Sequence, residues 1–291
     1  MGALSSSLLP ALLLVSIEAQ YTGSGPCASC HPAIADRQAK SGHARTLAPG
    51  APEADWAFGS GTHATTWVRQ QDPRHYLELP LSWYRQTNRK APTPGHTSIS
   101  GALYRTFDPA GRILRCFACH STGVPSVDAA GRISPHEPGV RCESCHGPAA
   151  AHVHAGGGKF NIENPGRYRA AAINDQCGAC HRQPDASSPR WDDPWNVRHQ
   201  PIYLAESSCF LNSGGKLSCL NCHNPHEALS RDTRAYAAVC SQCHAQPRHR
   251  TPVSPDCIRC HMPRVPASAD LSFTNHWIGV YSPGRPLRPR R

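Results

Sequence analysis

The sequence predicts a compact chain of short elements and extensive loops, with a small β-hairpin region and a core not built mainly from side chains. Three observations predict it. Two cysteines separated by two residues and followed directly by a histidine recur seven times in 291 residues. Only 39% of residues are hydrophobic, while 28 Pro and 23 Gly punctuate the chain, and such a composition favours turns over long elements. Residues 49–113 lie in the longest interval without the repeated motif and instead hold β-branched and aromatic runs.

The motifs are Cys27-Cys30-His31, Cys116-Cys119-His120, Cys142-Cys145-His146, Cys177-Cys180-His181, Cys219-Cys222-His223, Cys240-Cys243-His244 and Cys257-Cys260-His261. Chance placement of these residue types yields about 0.05 matches. Zinc fails as an explanation, because it requires no histidine at a fixed place after each CxxC. Two thiols at this spacing reach the vinyl groups of one haem, and the next residue turns an imidazole to its iron. The motifs therefore predict seven covalently attached haem c groups. One macrocycle for about every 39 residues replaces most of an aliphatic core, consistent with the mean hydropathy of −0.48.

Such cofactors are attached outside the cytoplasm, so an export signal is expected. Residues 1–19 fit one, with an apolar run around Leu8 to Ile17 and Ala19 before the cut, although no Lys or Arg precedes the run. The run is short and contains Pro10, so no transmembrane anchor is expected after its removal. Residues 20–291 then form one heptahaem domain in the periplasm or outside the cell. The formal charge of +10 first suggests an anionic partner. Haem propionates bring about −14 and ferric centres about +7, leaving about +3 oxidised and about −4 reduced. The basic excess neutralises propionates, and no nucleic-acid partner is expected.

Along the chain, an alanine-rich stretch after Pro32 predicts a helix ending near Ser41-Gly42. In the haem-free insertion, residues 49–113, the runs TTWVRQ and HYLELPLSWY predict a hairpin turning at Gln71-Asp72-Pro73-Arg74. From Cys116 the first cysteines follow at intervals of 26, 35, 42, 21 and 17 residues, a dense array. GPAAAHVHAGGGK and the stretch from Gln183 to Pro194 read as loops around haem edges. The tail with Arg285, Arg288, Arg290 and Arg291 reads as a solvated end.

The ligand opposite each motif histidine sets the redox character of a haem. Met262, pinned beside His261, cannot cross its own ring, and Met1 lies in the leader. Eleven further histidines remain, enough for bis-histidine ligation throughout. His226 sits too close to His223 to reach the far face of that haem, and His152 likewise follows His146, so each is expected to serve a neighbour. His43, His276, His63, His136 and His199 complete the distal candidates. His75, His96, His154 and His249 read as surface or propionate-contacting histidines. Cys209, outside the motifs, reads by default as a buried structural thiol, with an axial thiolate or an intermolecular bridge as alternatives.

The stretches CASCHPAIADRQAKSGHAR, GVRCESCHGPAAAH, SSCFLNSGGKLSCLNCHNPH, and CIRCHMPR followed by FTNHWI resemble the multihaem c-type cytochrome family related to the tetrahaem cytochrome of ammonia oxidation and the octahaem hydroxylamine oxidoreductases. The resemblance implies a mostly α, haem-packed fold with stacked and edge-on haem pairs. It also implies that His43, His152, His226 and His276 are distal ligands. The chain departs from the family in its seven motifs, and it has no CxxCK of the kind that resembles pentahaem nitrite reductases.

The leading functional reading is an electron carrier rather than an enzyme, serving redox partner proteins such as other cytochromes or quinol-oxidising complexes. The runner-up is a reductase or oxidase of a small nitrogen or sulfur compound at one five-coordinate haem, sought near His63, Arg69, Arg74 and His75. A third is self-association into an extracellular filament, a histidine of one chain ligating a haem of the next.

Overall fold

The computed structural model describes residues 20–94, 101–107, 112–182, 190–245, 249 and 256–290. The leader at 1–19, His96, Arg291 and most of the loop from Gln183 lie outside the described residues.

On an α-helix, positions i, i+3 and i+4 share one face, so CxxCH in a single helical turn aims both thiols and the imidazole the same way. The chain uses that economy repeatedly. Helix α1 (Ser24–Cys30) carries the first motif, closed by the His31 amide donating to Cys27 O at 2.8 Å. Helix α2 (Pro32–Ala39) follows at once, with proline pre-set for a first helical turn. A 3-10 turn, His43–Arg45, ends this segment.

The insertion then forms seven strands: β1 (Leu47–Pro49), β2 (Trp56–Phe58), β3 (Ala64–Asp72), β4 (His75–Glu78), β5 (Leu81–Tyr84), β6 (Arg89–Pro92) and β7 (Ala102–Arg105). Strands β3 and β4 pair antiparallel across the expected turn, where Asp72 Oδ1 accepts the Arg74 amide at 2.7 Å. HYLELPLSWY does not continue as one strand. Pro80 brings no N–H, and after it β5 folds back to pair with the start of β3 and with β6. The sheet runs β1-β2-β3-β4-β7, with β5 and β6 branching from β3.

Helix α3 (Arg112–His120) carries the second motif and is followed by two-residue strands β8 (Ser121–Thr122), β9 (Ser126–Val127), β10 (Ile133–Ser134) and β11 (Glu137–Pro138). Helices α4 (Cys142–His146), α5 (Ala150–His154), α6 (Ala170–His181), α7 (Gln200–Ala205), α8 (Ser208–Leu211), α9 (Thr233–Ser241) and α10 (Cys257–His261) complete the helical part. The hairpin β12 (Arg264–Pro266) and β13 (Ser272–Thr274) closes the chain. The expectation of a mostly α fold is met only in part: most motifs are α-helical, but the fifth begins in a 3-10 turn, Cys219–Asn221, the sixth runs off the end of α9, and the insertion is an antiparallel sheet. Among the described residues no helix is long and apolar enough to cross a membrane.

Two small side-chain cores anchor the sheet. In one, Leu47, Phe58, Val68 and Tyr76 close over Ile113 and Phe117 of α3. In the other, Tyr84 and Ala91 meet Ile202 and Tyr203 of α7 and Val265, Leu271 and Phe273 near the C-terminus. Arg89 and Thr87 tie this end to Asp270, with Arg89 Nη2 at 2.8 Å and Thr87 Oγ1 at 2.6 Å. The insertion thus spans from the second motif to the last.

Candidate haem-attachment sites

All fifteen cysteines are unbridged, and the fourteen motif thiols are half-buried or exposed, so none is committed to a disulfide core. Among the described residues no three or more His, Cys, Asp or Glu side chains gather as a metal site. Histidine rings gather in pairs instead.

Two imidazoles bound on opposite sides of one metal ion through bonds of about 2.0 Å have ring centres about 6 Å apart. Four motif histidines face a second histidine at this separation: His181 with His43 at 6.0 Å, His146 with His226 at 6.0 Å, His223 with His276 at 6.3 Å, and His261 with His249 at 6.0 Å. A facing pair supplies two ligands, which leaves the other positions of the metal to a macrocycle. The residues therefore fit a haem held from both faces.

The second ring nitrogen of these histidines is also provided for. Nδ1 of His146 lies 2.7 Å from Glu163 O, that of His261 2.8 Å from Gly279 O, and that of His276 3.0 Å from Thr274 O. His120 makes the same contact to Thr46 O at 3.1 Å. A carbonyl only accepts, so each Nδ1 carries the proton and Nε2 presents its lone pair to a metal. The His43 ring bonds to the Pro225 carbonyl, beside His226. Burial is the largest influence on His43, His181, His223, His226 and His276, and it lowers each, His276 to about 4. Burial disfavours imidazolium, and the neutral ring is the ligating form.

The structure brings His43, His226 and His276 opposite motif histidines and leaves the other distal candidates elsewhere. Among the described residues, no motif histidine ring stands opposite His152 on α5, whose Nδ1 lies 3.3 Å from Phe160 O in the loop that follows. The geometric reason is the short helix: α5 bonds back into the glycine loop that follows rather than projecting toward a neighbouring motif. His63 packs on Phe273, and His136 lies against Tyr21. His199 Nε2 receives Arg198 Nε at 3.4 Å. His249, expected as a surface or propionate-contacting histidine, is exposed and also faces His261. His75 pairs with Asp72 on the hairpin turn. His31 and His244 are exposed.

Arg198, Gln200, Tyr203 and Glu143 carry no motif that singles them out in the sequence, whereas His199 and Cys209, near the first three, do stand out there. Within one turn of α7, His199 Nδ1, Gln200 Oε1 and Tyr203 Oη are buried without partners, while Gln200 lies beside His181. Arg198 is held below its usual range, by burial first. Arg198 is exposed at the edge of these orphaned polar atoms, and a cation beside unpartnered polar groups suits an anionic group such as a carboxylate. Glu143, between the cysteines of the third motif, is buried and accepts the amides of Thr22 at 2.9 Å, Gly23 at 2.8 Å and Ala149 at 2.8 Å. Cys209 is half-buried, and burial pushes its thiol up.

Residues 83–147 match the family described as cytochrome c554 and c-prime. No curated protein matches the chain. Among solved structures, the outer cell wall cytochrome OcwA is similar at 15% identity with a TM-score of 0.57, over 89% of this chain and 79% of that one. The undecahaem cytochrome from the S-layer of Carboxydothermus ferrireducens aligns at 17% identity with a TM-score of 0.48, over 82% of this chain and 44% of that one. The likeness to OcwA is one of fold: this chain has the architecture of a multihaem c-type cytochrome.

Proposed function

We propose that the seven motifs attach seven haem c groups and that the protein carries electrons between redox partner proteins outside the cytoplasm. The facing histidine rings at 6.0–6.3 Å carry this reading, because that separation is what axial ligation of one iron from both sides demands. Each haem, when bound, supplies one iron that cycles between ferric and ferrous states. The motif cysteines tether, the motif histidines ligate, and His43, His226, His276 and His249 close the opposite face. Backbone carbonyls of Glu163, Gly279 and Thr274 orient three of those rings. Two imidazoles on each iron at the four paired sites would leave no open position there for a substrate, which favours carriage over catalysis at those sites. The leader-like residues 1–19 and the outer-cell-wall setting named for OcwA support a place outside the cytoplasm.

Electron paramagnetic resonance of the oxidised protein, with carbon monoxide added after reduction, tests the reading. Low-spin signals and no carbon monoxide uptake at the four paired sites are expected. A high-spin signal assigned to any of those sites would overturn it, as would a pyridine haemochrome count clearly below seven.

A further inference from the structure

We infer that the seven attachment sites form a branched array rather than a line, with the fourth motif on α6 as a three-way junction and the second motif as its side arm. This rests on the reading of the motifs as haem sites.

A thioether cysteine is bonded to the rim of its haem, so two motifs whose cysteines touch hold two rims side by side. The contacts order the sites. Cys27 touches Cys142, where α1 packs on α4 and Ser24 Oγ lies 3.8 Å from Cys142 Sγ; the first site adjoins the third. Gln176 Nε2 on α6 donates to Cys145 O at 2.7 Å, joining third to fourth. Asn174, one helical turn before Cys177, accepts from the Cys219 amide at 3.0 Å and from its thiol at 3.3 Å, and the Cys177 and Cys219 thiols touch; fourth adjoins fifth. Tyr236 of α9 packs on His223 at 5.5 Å, and its carbonyl accepts from Cys240 Sγ at 3.7 Å, joining fifth to sixth. Cys240 touches Cys257, and Thr233 Oγ1 donates to Asp256 Oδ2 at 2.6 Å, joining sixth to seventh.

The second motif stands off this trunk. Its Cys119 touches Cys180 of the fourth. One short turn also serves both sites: His43 faces His181, while Thr46 takes the His120 proton on its carbonyl. Cys177 and Cys180 thus meet cysteines of two different motifs, and Gln176 beside them holds a third. Helix α6 can do this because Asn174, Cys177 and Cys180, three residues apart in turn, and Gln176 beside them together cover a face about 160° wide.

An electron crossing the array leaves one iron ferric and makes its neighbour ferrous, with redox proteins as donor and acceptor. A junction offers three ends, at the first, second and seventh motifs, so one donor can serve two acceptors or the reverse.

The test is cryo-electron microscopy of the exported holoprotein, after pyridine haemochrome has established seven haems; a shortfall there indicts the haem reading, not the branching. The iron at His181 is expected to have three nearest iron neighbours, at His120, His146 and His223, and the iron at His120 only one. A His181 iron with two neighbours, or a His120 iron nearest to any other site, overturns the proposal. In solution, His43→Ala is expected to make the His181 haem high-spin and broaden the methyl proton resonances of three other haems. Broadening of two sets or of all six contradicts it. Should that variant misfold, the iron map decides.

Discussion

At the scale of single residues, the opposing histidines make the sharpest statements. Replacing His226 by Ala is expected to keep haem content intact while turning the His146 haem high-spin, read by electron paramagnetic resonance. His152→Ala is expected to leave every spin state unchanged, because its ring faces no motif histidine among the described residues. Sequence reasoning weighted these two alike, since each follows a proximal histidine too closely to serve its own haem. Spacing told which haem a histidine could not ligate, and only the fold told which one it meets. His249 lies in the polar stretch QPRHR, where an unassigned histidine reads as a surface or propionate contact, and only the fold sets it against His261. Glu143 and Phe117 were invisible for a related reason: they occupy the unspecified positions of CxxCH, where the motif has nothing to say. Asp270 offers a pH test. Its carboxyl is held below its usual range, first by the hydrogen bond from Arg89 and then by that from Thr87. A lowered carboxylate favours the folded state above the unfolded pKa of about 3.9, and that contribution is lost as pH falls through the folded value. Asp270→Asn is therefore expected to lower the melting temperature at neutral pH, with the gap to the parent protein closing as the solution is made acidic below that range.

At the scale of elements, the insertion and the motifs are mechanically joined. Phe117, inside the second motif, is fully buried and meets Phe58 and Trp56 edge-on at 5.1 and 5.7 Å. Aromatic pairs in this geometry contribute beyond their buried area, and a buried Phe→Ala change costs about 3–5 kcal/mol. Phe117→Ala is expected to lower stability by that order in thermal melts and to alter the visible spectrum of the haem at His120, whose ring also rests on Phe58 at 5.4 Å. The β3–β4 hairpin was legible from β-branched residues and the Asp72-Pro73 turn. Strands β1, β2, β6 and β7, three or four residues each, fall below the length at which alternation declares itself, and their pairing is decided by packing on α3 and α7.

At the scale of the whole molecule, little aliphatic core is present: two clusters of seven and eight buried residues serve the described chain. Burial of that extent is small against the ordering entropy of a chain this long. Protein made in the cytoplasm without haem is therefore expected to lack cooperative thermal unfolding, while the exported holoprotein melts cooperatively; circular dichroism compares the two. Motif arithmetic alone leads to that expectation, because thiols and histidines recur at a fixed spacing whatever the fold.

The facing rings also set an order in time. A chain crossing a membrane amino end first delivers His43 long before His181, and His226 only 80 residues after His146. On the proposed reading, the fourth site would meet a partner already waiting, whereas the third would stand half-made until the fifth motif had passed. A chain halted between those two histidines would then hold the third site five-coordinate, and export intermediates are expected to differ from finished protein in spin state at that one place in the sequence.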